Sequence, residues 1–151
     1  MKKVVQTIFL VTLMLLSIIS VNVSDSNAKS YCHMSKSEER LIQRIAYLEA
    51  GNHGVKGMGY VMQTIINRKH SKEFPNTVKK VIFERGQFTT ARYVNRGHIN
   101  KYTRKALKNL KKGKYKRMRA LYFCERSYRM KSSWFMSLNL VMFYKSHAYM
   151  K

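Results

Sequence analysis

Carboxylates are scarce in this sequence, so any chemistry that needs one can be traced to very few residues. The chain has 151 residues, with 30 Lys and Arg against seven Asp and Glu. The seven acids are Asp25, Glu38, Glu39, Glu49, Glu73, Glu84 and Glu125. Glu49 differs from the others because its neighbours Leu48 and Ala50 are apolar and two glycines, Gly51 and Gly54, follow closely. It is therefore the first candidate for a catalytic carboxyl group.

The predicted surroundings of Glu49 favour a raised pKa. A capping box at residues 35–38 and apolar residues at helical spacing over 41–48 predict a helix that ends just past Glu49. The partial negative charge of a helix C-terminus and burial both disfavour the carboxylate form. A carboxyl group that stays protonated near neutral pH can act as a general acid. The alternative is an ordinary helix-end glutamate paired with a cation such as Arg44 or Lys56.

The elements that would position Glu49 are mainly helical. Periodic apolar residues predict further helices over residues 58–66, 78–82, 100–113 and 115–129. Periodicity fails over residues 85–100, which predicts a loop or a short strand, and it is ambiguous over 134–149. Length and pattern together predict a single, mainly α domain, with an α+β fold as the alternative.

The first 28 residues are typical of a secretory signal peptide. Lys2 and Lys3 precede an apolar stretch over residues 4–21, and Ser26-Asn27-Ala28 has the small residues that signal peptidase requires. We therefore predict cleavage after Ala28 and a secreted or cell-envelope location, with a retained membrane anchor as the alternative. Residues 29–36 would then be a linker, and residues 37–151 the folded domain.

The charge of the chain predicts anionic partners. The net charge is +23, and loss of Lys2, Lys3 and Asp25 with the signal peptide would leave +22. Such a charge attracts nucleic acid, anionic lipid or an anionic wall polymer such as teichoic acid. Export argues against nucleic acid, so we expect no nucleic-acid partner. The basic run over residues 101–119 is interpreted as a solvated face that meets an anionic wall, with a membrane-lytic helix as the alternative. We expect a monomer.

Two cysteines, Cys32 and Cys124, could form a disulfide in an exported chain. Such a bridge would close a long loop and contribute about 4 kcal/mol in the chain-entropy model. We predict the bridge because it would fix the N-terminus of the mature chain. Free thiols, or a bond to another chain, are the alternatives.

The sequence offers little support for other catalytic chemistries. Glu49 and His53 have the i, i+4 spacing of helical metal ligands, but Gly51 and Gly54 are expected to break that helix. No histidine pair with zinc-site spacing accompanies them, and no Gly-x-Ser-x-Gly motif is present. We therefore predict no metal and no cofactor.

A series of short motifs links Glu49 to a known family. In order along the chain these are Ile45-Ala46-Tyr47-Leu48-Glu49-Ala50, Gly57, Ile66-Asn67-Arg68, Phe74-Pro75-Asn76-Thr77-Val78, Val81-Ile82-Phe83 and Gly86-Gln87-Phe88-Thr89. With these pieces in this order, residues 38–89 resemble the SleB-type cell wall hydrolases, a family that includes spore cortex-lytic enzymes.

The later part of the chain departs from the pattern of that family. The family tends to have a tryptophan, which Trp134 could match, and then a terminal His-x-Phe-Tyr-type strand. Residues 142–145 have the aromatic pair but follow Val141 where histidine is expected, whereas His147 keeps the histidine and changes the aromatic residues. Four positions after the candidate glutamate, where the family often has a second acid, this chain has His53.

The resemblance implies a lysozyme-like, lytic-transglycosylase-like catalytic domain that acts on peptidoglycan glycan strands. It also implies a single catalytic glutamate, which corresponds to Glu49, and lytic transglycosylation as the reaction. One carboxyl group suffices for that reaction, whereas the usual glycosidase routes need two. The alternatives are an N-acetylmuramoyl amidase or a muramidase hydrolase on the same polymer, or a non-catalytic cationic protein that binds wall or membrane.

Further residues could contact the sugar. The amide of Gln87 could hydrogen-bond an N-acetyl group, with Phe88 as an apolar anchor for its loop. Tyr47, Asn67 and Tyr93 could stack on sugars or hydrogen-bond them. For each of these residues an ordinary structural role is the alternative.

Overall fold

The computed structural model describes residues 31–151, so the predicted signal peptide and its cleavage site lie outside the described residues. The helices are α1 (Lys36–Ala50), α2 (Gly54–Lys69), α3 (Val78–Phe83), α4 (Lys101–Lys111), α5 (Arg126–Arg129) and α6 (Ser133–Ser137). Two 3-10 segments span Gly51–His53 and Thr89–Arg96, and the strands are β1 (Tyr122–Glu125), β2 (Leu140–Tyr144) and β3 (His147–Met150). None of the helices within 31–151 has the length and apolarity needed to cross a membrane.

Helix α1 begins and ends where its sequence predicts. The Ser35 hydroxyl accepts a hydrogen bond from the backbone N–H of Glu38 at 3.2 Å, and the Glu38 carboxylate accepts one from the backbone N–H of Ser35 at 3.0 Å. At the other end, the N–H of Gly51 donates to the carbonyl of Tyr47, and the chain turns into the first 3-10 segment. Both predicted boundaries are thus confirmed, and Glu49 lies in the last turn of α1.

Helix α2 lies at the centre of the molecule and packs against α1, α3 and α4. Its residues Met58, Val61, Met62, Ile65 and Ile66 are almost fully buried. A helix that is apolar on most of its circumference is buried between other helices. This central helix therefore provides the rigid support for the elements around Glu49.

A small antiparallel sheet closes the domain, with strand order β1-β3-β2. Tyr122 pairs with Met150 and Glu125 pairs with His147 across β1 and β3, while Tyr144 pairs with His147 across β2 and β3. The predicted helix over residues 115–129 is therefore wrong for most of its length. Residues 122–125 form a strand because their backbone groups pair with β3, and only α5 within that range is α-helical.

The predicted disulfide is not formed in this structure. Cys32 and Cys124 are both free thiols. Cys32 is buried and its thiol contacts the carbonyl of Leu110 at the end of α4, whereas Cys124 lies half-buried in β1. Packing against α4 holds the N-terminal segment that the bridge was expected to fix.

A close backbone contact fixes the loop that follows α3. A Cβ atom built at Gly97 would lie 2.3 Å from the carbonyl oxygen of Arg44 in α1. Only glycine allows the loop to approach α1 so closely, because any side chain there would overlap backbone. The second 3-10 segment, which directly precedes Gly97, is thereby held against α1.

Candidate functional site

Glu49 lies half-buried in the last turn of α1 and is bonded to the second 3-10 segment. The hydroxyl of Thr90 donates a hydrogen bond to Oε1 of Glu49. Burial raises the pKa of the Glu49 carboxyl, while the Thr90 hydrogen bond and the charge of Arg68 act in the opposite direction. The net pKa is raised above the usual value, as the sequence predicts. A raised pKa favours the protonated form of the carboxyl, which is the form that a general acid requires.

Arg68 is a buried cation whose charge acts on the Glu49 carboxyl. It is 3% exposed, and its Nε donates a hydrogen bond to the carbonyl of Leu121 at 2.6 Å. Its guanidinium lies over the rings of Phe74, Phe88 and Tyr122, at 5.0, 5.2 and 5.8 Å from their centroids. Burial lowers the pKa of Arg68 to about 10, so the group remains a cation at neutral pH. The site thus contains one positive charge enclosed by aromatic rings.

Strand β3 contributes Tyr149 and His147 to this region, and the first 3-10 segment contributes His53. Tyr149 is fully buried, and burial raises the pKa of its phenol, with the charge of Glu49 as a smaller cause. The rings of His147 and His53 lie 4.5 Å apart, and Nε2 of His53 is 3.0 Å from the Ser146 hydroxyl. Burial lowers the pKa of His53, and that of His147 to about 4, so both imidazoles are neutral at neutral pH. Across 31–151 the structure brings together no group of three His, Cys, Asp or Glu side chains that could hold a metal ion.

The loop predicted to contact substrate lies next to Arg68, whose guanidinium is 5.2 Å from the ring centroid of Phe88. Phe88 is 6% exposed and packs on Phe123 with ring centroids 5.9 Å apart. Gln87 is half-buried, and its backbone N–H donates to the carbonyl of Glu84. The structure therefore places Phe88 as an apolar anchor beside Arg68, with the side chain of Gln87 partly open to solvent.

Asn67 is fully engaged in bonds within the chain. Its Nδ2 donates to the carbonyls of Met118 and Ala120, each at 2.9 Å. Its Oδ1 accepts from Nε2 of Gln63 at 2.8 Å and from the hydroxyl of Tyr31 at 3.1 Å. These four bonds use the donors and acceptor of the amide, which supports the structural alternative for this residue.

The two tyrosines predicted as sugar contacts lie in different settings. Tyr93 is exposed and belongs to the same 3-10 segment as Thr90, with the guanidinium of Arg92 4.7 Å from its ring centroid. Tyr47 is half-buried on α1, where its ring meets the edge of His98 at 5.1 Å. Tyr93 is therefore accessible to a ligand, and Tyr47 packs between α1 and the loop.

Sequence reasoning missed three side chains at this site. Thr90 follows directly after the last motif of the series, but a single threonine in a loop has no distinctive pattern. Arg68 is part of the Asn-Arg motif, although nothing in the sequence shows that it turns towards Glu49. Glu84 also interacts with Arg68, and its Oε2 is buried without a hydrogen-bond partner within residues 31–151.

A separate cavity of about 820 Å³ lies between the N-terminal segment, α1 and α4, and Glu49 does not line it. Its lining includes four cationic side chains, and the one carboxylate there, Glu39, is paired with Lys111. The lining residues are Cys32, His33, Met34, Glu39, Gln43, Arg104, Leu107, Lys108, Lys111 and Lys112. The lining of this cavity is therefore basic, and its residues include no unpaired carboxylate that could act as a general acid.

Comparison with known proteins gives one matching family and similar solved structures. The family described as Cell Wall Hydrolase matches residues 52–150, which is well over half of the chain and begins just after Glu49. No curated protein sequence matches the chain. The catalytic domain of the Bacillus cereus SleB protein is similar to this chain with a TM-score of 0.70 and 26% identity, over 80% of this chain and 94% of that one.

A second solved structure gives nearly the same result. The catalytic domain of the germination-specific lytic transglycosylase SleB from Bacillus anthracis has a TM-score of 0.69 and 25% identity, over 80% of this chain and 98% of that one. Both likenesses confirm the predicted single, mainly helical catalytic domain and the predicted resemblance. On the family match and these two structures, the chain belongs to the cell wall hydrolase family.

Proposed function

We propose that this enzyme cleaves peptidoglycan glycan strands by lytic transglycosylation, with Glu49 as its acid and then its base. The observation that carries the proposal is the half-buried Glu49, whose pKa is raised by burial while Thr90 holds one of its two oxygens. The similar protein from Bacillus anthracis is described as a lytic transglycosylase. The structural similarity to both solved relatives extends over 80% of the chain, whereas the family match covers residues 52–150.

The proposed reaction needs one carboxyl group and no water. Protonated Glu49 first gives its proton to the glycosidic oxygen as the bond to C1 of muramic acid breaks. The resulting carboxylate then takes the proton from the C6 hydroxyl of the same sugar, whose oxygen bonds to C1 and closes a 1,6-anhydro ring. Glu49 ends protonated, as it began, and Thr90 stabilises the intermediate carboxylate by its hydrogen bond.

A muramidase hydrolase is the second candidate. It is favoured by a second carboxyl group, that of Glu84, which interacts with the same arginine as Glu49. Hydrolysis by the usual routes needs two carboxyl groups on either side of the scissile bond. Glu84 and Glu49 both interact with Arg68, so Glu84 is the acid to test as a second group. An amidase would need neither arrangement, and the products distinguish all three reactions.

We assign substrate contacts to the loop beside Glu49. Gln87 would hydrogen-bond an N-acetyl group through its partly open amide, and Phe88 would hold the loop against Arg68. Tyr93, on the segment of Thr90, is accessible for a sugar contact, whereas Tyr47 would support the loop from α1. Asn67, with its amide fully bonded, would act structurally.

We further propose export to the cell envelope and contact with anionic wall polymers. The signal-like residues 1–28 support export. Helix α4 exposes Lys101, Arg104, Lys105 and Lys108, which supports attraction to polyanions. A free monomer would suit an enzyme that must move along an immobile polymer.

The decisive experiment is digestion of purified peptidoglycan by residues 29–151, followed by mass spectrometry of the fragments. We expect anhydro-muramic ends from the unaltered protein, none from Glu49→Gln, and unchanged products from Glu84→Gln. The matched control is Glu125→Gln, which alters an exposed acid in β1. Reducing muramic ends that disappear in Glu84→Gln would establish the hydrolase instead, and free stem peptides would establish an amidase. Binding without cleavage by every variant would leave only a wall-binding protein.

A further inference from the structure

Helix α6 presents aromatic rings to solvent without contributing to the core. None of its five residues, Ser133–Ser137, is buried, and Trp134 is 52% exposed. Trp134 is the single tryptophan of the chain. Burial of so large an apolar side chain would stabilise the fold, so its exposure on a short, well-capped helix calls for another role. Ser132 caps this helix by accepting a hydrogen bond from the backbone N–H of Phe135 at 3.3 Å.

Contacts between rings hold Trp134 in place. Its indole makes T-shaped contacts with the Tyr122 ring, at 5.2 Å and 89°, and with the Phe135 ring, at 4.7 Å and 68°. Tyr122 is itself fixed, because its hydroxyl donates a hydrogen bond to Glu73 at 3.2 Å. Because Trp134 keeps 52% of its surface exposed despite these contacts, the indole remains available to a ligand.

The same contacts connect Trp134 to the candidate catalytic site. The guanidinium of Arg68 lies 5.8 Å from the Tyr122 ring centroid and 5.2 Å from that of Phe88. The charge of Arg68 also acts on the Glu49 carboxyl. Three successive contacts of 5 to 6 Å thus lead from Phe88 to Trp134. We call Phe88, Tyr122 and Trp134, with Arg68 between the first two, the aromatic row.

The exposed indole at the outer end of the aromatic row suits contact with a sugar polymer. One face of a pyranose ring consists of C–H bonds, which pack favourably on an aromatic face while the hydroxyl groups stay in water. A glycan strand is long and repeats such rings, so a site that cleaves one bond can also grip sugars farther along. The inner end of the row, Phe88 and Arg68, is buried, and Trp134 at its outer end is exposed, so the indole is the part of the row that can contact a strand leaving the site.

We infer that Trp134 stacks on a sugar ring of the glycan strand a few units from the bond that Glu49 cleaves, with Tyr122 holding the indole in position. This inference rests on the proposed function. Trp134 is then a substrate-positioning residue and takes no part in the chemistry. Its loss weakens binding of long strands more than it slows the cleavage step.

The test uses the emission of Trp134 as the reporter, since no other tryptophan contributes. Glu49→Gln is titrated with soluble, uncut peptidoglycan tetrasaccharides and longer oligomers. We expect a saturable change in tryptophan emission, with tighter binding for the longer oligomers. Binding measured by ultrafiltration without any change in emission would overturn the inference.

Kinetics give a second, independent readout. With Glu49 intact, Trp134→Ala is expected to raise KM for glycan oligomers about three- to tenfold, the range of one aromatic contact, with kcat nearly unchanged. Trp134→Phe should restore part of the loss. Tyr102→Ala is the matched control, because Tyr102 is 51% exposed on α4 and lies outside the aromatic row. An unchanged KM in Trp134→Ala, with helix content retained by circular dichroism, would contradict the inference.

The same reporter separates other occupants of this face. A change in emission with phosphatidylglycerol vesicles but none with glycan would assign the surface to lipid, and a change with protein concentration alone would assign it to a second copy. Either result would overturn the inference. If the unaltered protein cleaves no peptidoglycan, the proposed function fails first; retained cleavage with normal KM in Trp134→Ala refutes only the role of Trp134.

Discussion

Thr90 donates its hydroxyl hydrogen to Oε1 of Glu49, joining the end of α1 to a segment 41 residues later in the chain. The bond stabilises the carboxylate form, whereas burial of Glu49 stabilises the protonated form. It also leaves Oε2 as the oxygen that can carry and donate the proton. Thr90 thus orients the candidate acid and moderates its pKa at the same time.

Replacement of Thr90 by valine should move the pH profile upward. The loss of the hydrogen bond removes a cause that lowers the pKa of Glu49, so the carboxyl should stay protonated to a higher pH. If protonated Glu49 is the general acid, the alkaline limb of kcat/KM shifts to higher pH. The measurement is the pH dependence of peptidoglycan cleavage, with Thr90→Ser as the control that keeps the hydroxyl. An alkaline limb that moves to lower pH would contradict this assignment.

Replacement of Arg68 by methionine should destabilise the protein by about 2–3 kcal/mol. The carbonyl of Leu121 would lose its donor, and three aromatic rings would lose the cation they enclose. Urea denaturation followed by circular dichroism measures the change. The control is Arg92→Met, since Arg92 is exposed and its substitution should change the free energy of unfolding by less than about 0.5 kcal/mol. Equal effects of the two substitutions would show that the buried setting of Arg68 is unimportant.

The neutral histidine pair should make the fold sensitive to acid. Burial, and then the neighbouring His53, lower the pKa of His147 from 6.5 to about 4. The unfolded chain therefore binds a proton between those values that the folded chain does not, and stability falls as pH decreases from 6.5 towards 4. We expect a loss of about 2 kcal/mol over this range after solvent screening.

The measurement for the histidine pair is urea denaturation at several pH values between 7 and 4. His147→Gln should flatten the decline because the titrating imidazole is gone. His98→Gln, at an exposed position, should leave the slope of the decline unchanged. A slope that persists in His147→Gln would assign the acid sensitivity to other groups.

Gly97 should tolerate no side chain. Its alanine variant would place a Cβ 2.3 Å from the Arg44 carbonyl, and the loop would have to move away from α1. We expect a loss of about 2 kcal/mol, together with reduced cleavage because Thr90 lies on the displaced segment. Gly51→Ala is the matched control, since the nearest atom to its Cβ, in the Tyr47 ring, is 3.5 Å away. Thermal unfolding and activity should both be near normal in that control.

Local signals in the sequence were sufficient for the helices around the candidate acid. Capping residues and nearby glycines determine where α1 begins and ends, and both can be read from a few adjacent positions. The position of Glu49 in a last turn could therefore be predicted, and so could the direction of its pKa shift. The helices α2, α3 and α4 likewise follow from periodic apolar residues, and α3 and α4 also begin at the polar caps Thr77 and Asn100.

The features that the sequence did not predict depend on contacts between segments far apart in the chain. Met118, Leu121, Tyr122 and Cys124 lie at spacings that also suit a helix, and only pairing with strand β3 makes residues 122–125 extended. The same applies to Thr90 and Arg68, whose roles depend on segments 41 and 53 residues away. From the sequence, His147 could not be matched to the terminal strand pattern of the resembled family; the structure places it in β3, with its ring 4.5 Å from that of His53.

The exposed edge strand β2 gives the high net charge of the protein a second effect, which is to prevent self-association. Leu140, Val141 and Phe143 are all exposed on this unpaired edge, a pattern that favours aggregation between molecules, although the guanidinium of Arg126 covers Phe143 at 4.2 Å. At low ionic strength a net charge of +23 keeps such edges apart. In about 1 M salt the Debye length falls to about 3 Å, and we expect light scattering to show self-association. The cations would then serve as much to keep the enzyme dispersed as to attract it to a surface.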